Sequence, residues 1–87
     1  MQSRTFVIDN QGLRSHETAM LVKAACKYTS VIEIEHGIKR VNAKSMMGVL
    51  SLGMLSGEEI LCTADGDDEK QALDEIESLL KSGFKSA

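Results

Sequence analysis

Residues 30–53 read "SVIEIEHGIKRVNAKSMMGVLSLG", and two different periodicities meet inside them. Ile32, Glu33, Ile34 and Glu35 alternate apolar and charged, the pattern of a strand with one face on a core and one in water. The pattern turns at His36-Gly37 and resumes through Ile38 and Val41, which predicts a β-hairpin. The next segment, "KSMMGVLSLG", is too short and too glycine-punctuated for a long helix. Met46, Met47 and Leu50 nevertheless suit a short one, capped by Ser45 and ended at Gly53.

A hairpin and one short helix cannot enclose a core, so the flanks must supply the rest. Upstream, "RTFVID" (residues 4–9) is β-branched and aromatic and stops at Asn10, Gln11 and Gly12, as a first strand entering a turn would. Met20, Leu21, Ala24, Ala25 and Tyr28 then recur at three- and four-residue spacing, predicting a helix that begins near Ser15. Downstream, "EEILCTADG" alternates again, with Ile60, Cys62 and Ala64 on one face and a close at Asp65-Gly66. The last segment, "DDEKQALDEIESLLKSG", places acidic residues in its first turn and Lys81 in its last, complementing a helix dipole, with Gly83 just beyond. Its apolar stripe is Ala72, Leu73, Ile76, Leu79 and Leu80. The order strand, helix, strand, strand, short helix, strand, helix predicts an α+β fold: an open-faced sandwich whose four-stranded antiparallel sheet carries three helices on one face.

The 87 residues allow one domain, spanning 1–87. With 43% apolar residues and no proline, the composition is that of a globular chain. Ten basic against 13 acidic side chains give a formal charge of −3, with no basic cluster to neutralise a row of phosphates. Phe6, Tyr28 and Phe84 are the only aromatics and form no stacking platform for bases, so direct nucleic-acid binding is not expected. Cys26 and Cys62 belong to no CxxC pair and are read as buried, reduced thiols. No apolar run approaches the roughly 18 residues that span a bilayer. The N-terminus lacks the basic start and apolar stretch of an export signal, and a cytoplasmic location is expected.

No Ser-His-Asp order, metal-binding histidine pair or P-loop occurs, and neither an independent enzyme nor a metal or cofactor is expected. The informative residues stand at helix starts. Ser45 is on the plain reading a cap whose hydroxyl accepts from a backbone N–H. On the sharper reading it is a phosphorylation site, where about two added negative charges would sit at the favourable end of a helix dipole beside Lys44. Met46 and Met47 cannot both point inward on so short a helix, and one is expected to be an exposed docking contact.

At these residues the chain resembles HPr, the small histidine-containing phosphocarrier of the bacterial phosphoenolpyruvate-dependent sugar phosphotransferase system. The likeness extends over nearly the whole chain. It is most specific in "RVNAKSMMGVLSLG", with support from "ADGDDE" before the last helix and "GL" before the first. The resemblance implies partners among the proteins of that system. It aligns Ser45 with the serine that a bifunctional kinase/phosphorylase modifies in Gram-positive relatives. In those relatives the phosphoserine form binds a catabolite-control transcription factor, with residues matching Met46, Met47 and Leu50 at the contact. Relatives can also exchange a first strand to form dimers.

The departure lies in "GLRSHE" (residues 12–17). The family reads Gly-(Leu/Ile)-His-Ala-Arg-Pro there, so Arg14 occupies the acceptor position, His16 replaces the assisting arginine and Glu17 replaces the proline. A guanidinium stays protonated at neutral pH and has no free lone pair for phosphorus. His16 is the alternative acceptor, since imidazole is a suitable nucleophile. Two positions along a helix, however, rotate a side chain by roughly 200°, and Glu17 in the first turn repels an incoming phosphoryl group. Arg14, His16, Lys44, Met46, Met47 and Leu50 are the expected partner contacts, while His36 is read as a turn residue without a partner. The chain resembles the catabolite-repression branch that lacks the acceptor histidine, although that branch usually keeps the arginine and proline missing here. A carrier acting through His16, and a diverged scaffold using neither site, are the other two readings.

Overall fold

The computed structural model describes residues 1–8, 15–53 and 57–82. In chain order the elements are β1 (Gln2–Val7), α1 (Ser15–Cys26), β2 (Val31–His36), β3 (Lys39–Asn42), α2 (Met46–Leu50), β4 (Glu59–Asp65) and α3 (Glu69–Lys81). The strands form one antiparallel sheet in the order β1-β4-β2-β3. The central pair carries the alternation through: Ile32 lies opposite Ala64, and Ile34 opposite Cys62. These four, with Phe6 and Ile60, are buried on the side that the helices cover. On the opposite side, Val31, Glu33 and Glu35 run beside Asp65, Thr63 and Leu61 and are exposed or half-exposed.

Leu21 and Ala25 of α1, Val49 of α2, and Ala72, Leu73, Ile76 and Leu80 of α3 close over the apolar side. Burial of such aliphatic area is the main stabilising contribution in a chain of this size. α3 packs on β4 and β1, α2 beside β3, and α1 touches both other helices. This is the expected open-faced sandwich.

Several details differ from the expectation. The first strand lies two residues earlier, over 2–7, because that register lets Phe6 face Ile60 and leaves Ile8 to bury itself beyond the strand end. Ile38 does not resume the strand. It sits in the turn, fully exposed, beside Gly37 at φ 64°, a left-handed conformation that glycine adopts without a Cβ clash. Cys62 is buried, and burial pushes its thiol up to about 12. Cys26 is exposed, contrary to expectation: it is the last residue of α1, its Sγ 3.9 Å from the Lys44 carbonyl.

The α1–β2 connection is fastened to the start of α3. Asp68 accepts from the backbone N–H of Thr29 at 2.9 Å and of Ser30 at 3.0 Å, and from both hydroxyls. The Ser30 hydroxyl and the other donors favour the charged carboxylate and hold its pKa at about 2. Gly66 passes so close that a Cβ there would lie 2.5 Å from Ser30 Oγ and 2.8 Å from Ser30 Cα.

Candidate functional site

Asn42 ends β3 and shapes the approach to α2: its side-chain oxygen accepts from Lys44 N at 2.8 Å and its carbonyl from Ser45 N at 3.0 Å. Ser45 then takes an extended conformation (φ −105°, ψ 113°) as the N-cap of α2, and its Oγ accepts from Gly48 N at 3.2 Å. The cap expected from sequence is therefore present. Ser45 is exposed, and its hydroxyl accepts in this bond, which leaves the O–H itself available. The first turn of α2 carries no acidic side chain. Gly48 completes the arrangement, since a Cβ there would press to 3.2 Å from Ser45 Oγ and 3.3 Å from Val41.

The two methionines divide as one short helix requires. Met47 is 82% exposed and Met46 half-buried, while Val49 carries the buried side of the turn. Leu50, 43% exposed, shares the outer surface with Met47. At the far end, Ser51 Oγ donates to Gly48 O at 2.6 Å and Lys39 Nζ to Ser51 O at 3.2 Å, which fixes the helix exit against the hairpin. The Lys44 side chain faces another way than its neighbour's hydroxyl would suggest. Its ammonium donates to the Tyr28 carbonyl at 2.7 Å and ties the start of α2 to the end of α1.

The other candidate residues are not gathered into one described constellation. His16 is exposed on the first turn of α1, which also holds Glu17. Arg14 lies outside the described residues, and so does the side chain of Ser15, near which the first helix is expected to begin. His36 corrects its reading as an unpartnered turn residue: it closes β2, with Nδ1 3.1 Å from the Leu52 carbonyl and Nε2 2.9 Å from Glu58 Oε2. Its partners arrive from 16 and 22 residues away, beyond the reach of a local pattern. Among the described residues no group of three or more His, Cys, Asp or Glu is arranged to hold a metal. No helix among them is long and apolar enough to cross a membrane. A groove of about 540 Å³ between β1 and α3, bordered by Arg4, Phe6, Glu77 and Leu80, contains none of the candidate residues. The Arg4 guanidinium that lines it is held by Asp74 and Glu77 at 2.7 and 2.9 Å, a structural tie between edge strand and helix.

Comparison with known proteins adds the following. A family model described as the PTS HPr component phosphorylation site matches residues 2–82. The crystal structure of HPr-C-His from Thermoanaerobacter tengcongensis is 39% identical, with 100% of this chain and 99% of that one covered at a TM-score of 0.95. The phosphocarrier protein HPr of Bacillus anthracis is 31% identical, with 91% and 95% covered at 0.87. Crh, the catabolite-repression protein of Bacillus subtilis, crystallised as a domain-swapped dimer; it is 32% identical, with 99% of each chain covered at 0.76.

Proposed function

We propose that this chain, which belongs to the HPr family of the bacterial sugar phosphotransferase system, is a regulatory member switched by phosphorylation of Ser45. In this reading it is defective as a histidine phosphocarrier. The observation that carries the reading is the placement of Ser45: an exposed hydroxyl at the start of α2, beside the outward Met47 and Leu50.

A serine kinase/phosphorylase transfers the γ-phosphoryl group of ATP to Ser45 Oγ. The bond to the bridging oxygen of ADP breaks, the Oγ–P bond forms, and the hydroxyl proton leaves to a base on the kinase. The product changes the net charge from −3 to about −5. The new charge meets no carboxylate in the first turn of α2, and Gly48 N–H is already aimed at Oγ, so a phosphate oxygen can take over that bond with the helix intact. Met47 and Leu50 stay in place as apolar contacts for a catabolite-control transcription factor, and the phosphate adds the charge that such a partner reads. Two signals on one helix face give a binding surface whose apolar part is constant and whose charged part is conditional.

Incubation with ATP and an HPr serine kinase should add one phosphate, and Ser45→Ala should abolish it. Failure of the wild-type protein to incorporate phosphate, while folded, would remove the reading.

The family match favours one further reading, a carrier that receives phosphate on His16, which is exposed on the first turn of α1. Phosphoenolpyruvate with the general phosphotransferase enzyme would then give an acid-labile phosphate, lost in His16→Ala and kept in His36→Ala. The expected result is no transfer, because Arg14 stands at the acceptor position and Glu17 repels the incoming group. A folded protein that takes phosphate in neither assay would instead be a diverged scaffold. The swapped dimer of Crh motivates one more measurement: light scattering should detect a dimer if this chain also exchanges its first strand.

A further inference from the structure

We propose that two copies of this chain pair through the outer edge of β1, so that two four-stranded sheets join into one across a two-fold axis at Thr5. Each first strand stays on its own β4, which distinguishes this contact from an exchange of first strands. It involves neither Ser45 nor His16.

Among the described strands β1 ends the sheet on one side and β3 on the other. Ile8 donates its N–H to the Glu58 carbonyl at 2.8 Å. Alternation along an antiparallel pair then directs the backbone groups of Phe6, Arg4 and Gln2 to β4 and turns those of Val7, Thr5 and Ser3 outward. Such an edge is a template for another strand unless charges, a proline or a bulge blunt it. β3 is four residues long and begins with Lys39 and Arg40, both exposed. β1 is six residues long, has no proline and pairs with β4 without a break. Its one charge, Arg4, is turned to α3 by Asp74 at 2.7 Å and Glu77 at 2.9 Å, so it does not guard the edge.

The helix beside this edge has the spacing and the charge order that a two-fold copy needs. α3 rests on β1 and β4 together. Strands about 4.8 Å apart would therefore set the two α3 axes about 10 Å apart, an ordinary packing distance. α3 also runs in the direction of β1. Met1 meets Glu69, Arg4 meets Asp74 and Glu77, and one groove brings Val7 to Lys81, which places Thr5 level with Glu77 and Ser78. An axis there brings Lys81 to the partner's Asp74, twice, with the small Ser78 at the crossing. The Glu77 carboxylate near the axis is not bare: Arg4 and Lys81 hold it at 2.9 and 2.6 Å. Two grooves of about 540 Å³, one between β1 and α3 and one along α3 at Asp74 and Ser78, share Glu77 and Lys81 and give the partner's helix room to enter.

The same charges select the register. An axis at Thr5 pairs Ser3 with the partner's Val7 and uses every outward group of β1. An axis at Arg4 would oppose two arginines and bring Lys81 to the partner's Lys70, both like-charge contacts. An axis at Phe6 would leave Ser3 outside the paired strands and Lys81 without its acid. Once the two β1 edges are joined, only the short, charged β3 edges remain, so association stops at two chains.

An interface of one strand and one helix flank is small, and a Kd on the order of 0.1 mM is expected. Sedimentation velocity should show one chain at about 10 µM and mostly dimer at about 1 mM. Amide exchange at Ser3, Thr5 and Val7 should slow about fivefold between those concentrations, while that of Arg4 and Phe6 stays unchanged. Thr5→Pro removes an N–H that faces away from β4, a change an edge strand tolerates, and should lower the association constant at least about tenfold. Lys81→Glu should lower it about threefold at low salt, and less as salt is added. Should Thr5→Pro not fold, the amide comparison in the wild-type protein decides alone. A single chain at about 1 mM with no slowing at the three outward amides would overturn the proposal. So would a dimer that Thr5→Pro leaves equally tight, the result that an exchanged first strand would give.

Discussion

Ser45 precedes α2 and Asp68 precedes α3, and both bring an oxygen to a helix start. Asp68 makes no side-chain bond to its own helix. Its carboxylate reaches across to the α1–β2 connection and receives Thr29 and Ser30 through backbone and hydroxyl donors. Ser45 makes one local bond, to Gly48, and remains exposed. The surroundings differ in the same sense: Gly66 and the buried Ser30 crowd the first site, whereas Met47 and Leu50 leave the second open to a partner. A residue that joins distant segments cannot be modified without loosening the fold. A residue that caps only its own short helix can be changed cheaply, which is why the regulatory proposal falls on Ser45. The start of α1 carries Glu17 in its first turn, whereas the first turn of α2 carries no acidic side chain.

This contrast can be tested by substitution, beginning with the crowded site. Gly66→Ala should cost about 3 kcal/mol, because its Cβ would meet backbone as well as side chain of Ser30 and one of the two segments must shift. A denaturation midpoint close to wild type would show that the connection is looser than its contacts indicate. Asp68→Ala should destabilise less than Gly66→Ala and more than any change at Ser45. Its pH dependence has a definite sign. The carboxylate's pKa is lowered from 3.8 to about 2, so its contribution is fully present above pH 3.8 and disappears as pH falls through about 2. The wild-type advantage over Asp68→Ala should therefore be flat near neutrality and shrink only in strong acid, measurable by urea unfolding along a pH series.

At the open site the effects are smaller. Ser45→Ala should cost about 1 kcal/mol, the usual value of an N-cap, while Ser45→Asp keeps a good cap and stays near wild type. Met47→Ala should change stability by less than about 0.5 kcal/mol, since the side chain is 82% exposed, yet weaken capture by a phosphoserine-dependent partner. A large stability loss in Met47→Ala would erase the distinction between the two sites.

Much of this organisation was legible in the residue pattern. Ile32 to Glu35 announced a half-wet strand, the stripe from Ala72 to Leu80 announced α3, and Ser45 ahead of "MMGVL" announced a cap, because each signal lies within one element. What escaped was contact between segments far apart in sequence. The pairing of β1 with β4 sets Gln2 beside Ala64, and no periodicity encodes a partner so distant. For the same reason Asp68 read as one more acidic residue of a first turn, His36 as a bare turn residue, and Cys26 as buried. The outer surface of α2 was legible because its residues are neighbours along the chain. The direction of the Lys44 ammonium was not, because its acceptor, the Tyr28 carbonyl, lies 16 residues away in the connection after α1.

The central claim is most directly tested by mass spectrometry of the protein isolated from its own cells, with fragmentation to locate any phosphate. The account predicts one acid-stable phosphate on Ser45. An acid-labile phosphate on His16, or a protein that carries none under any growth condition, would contradict it.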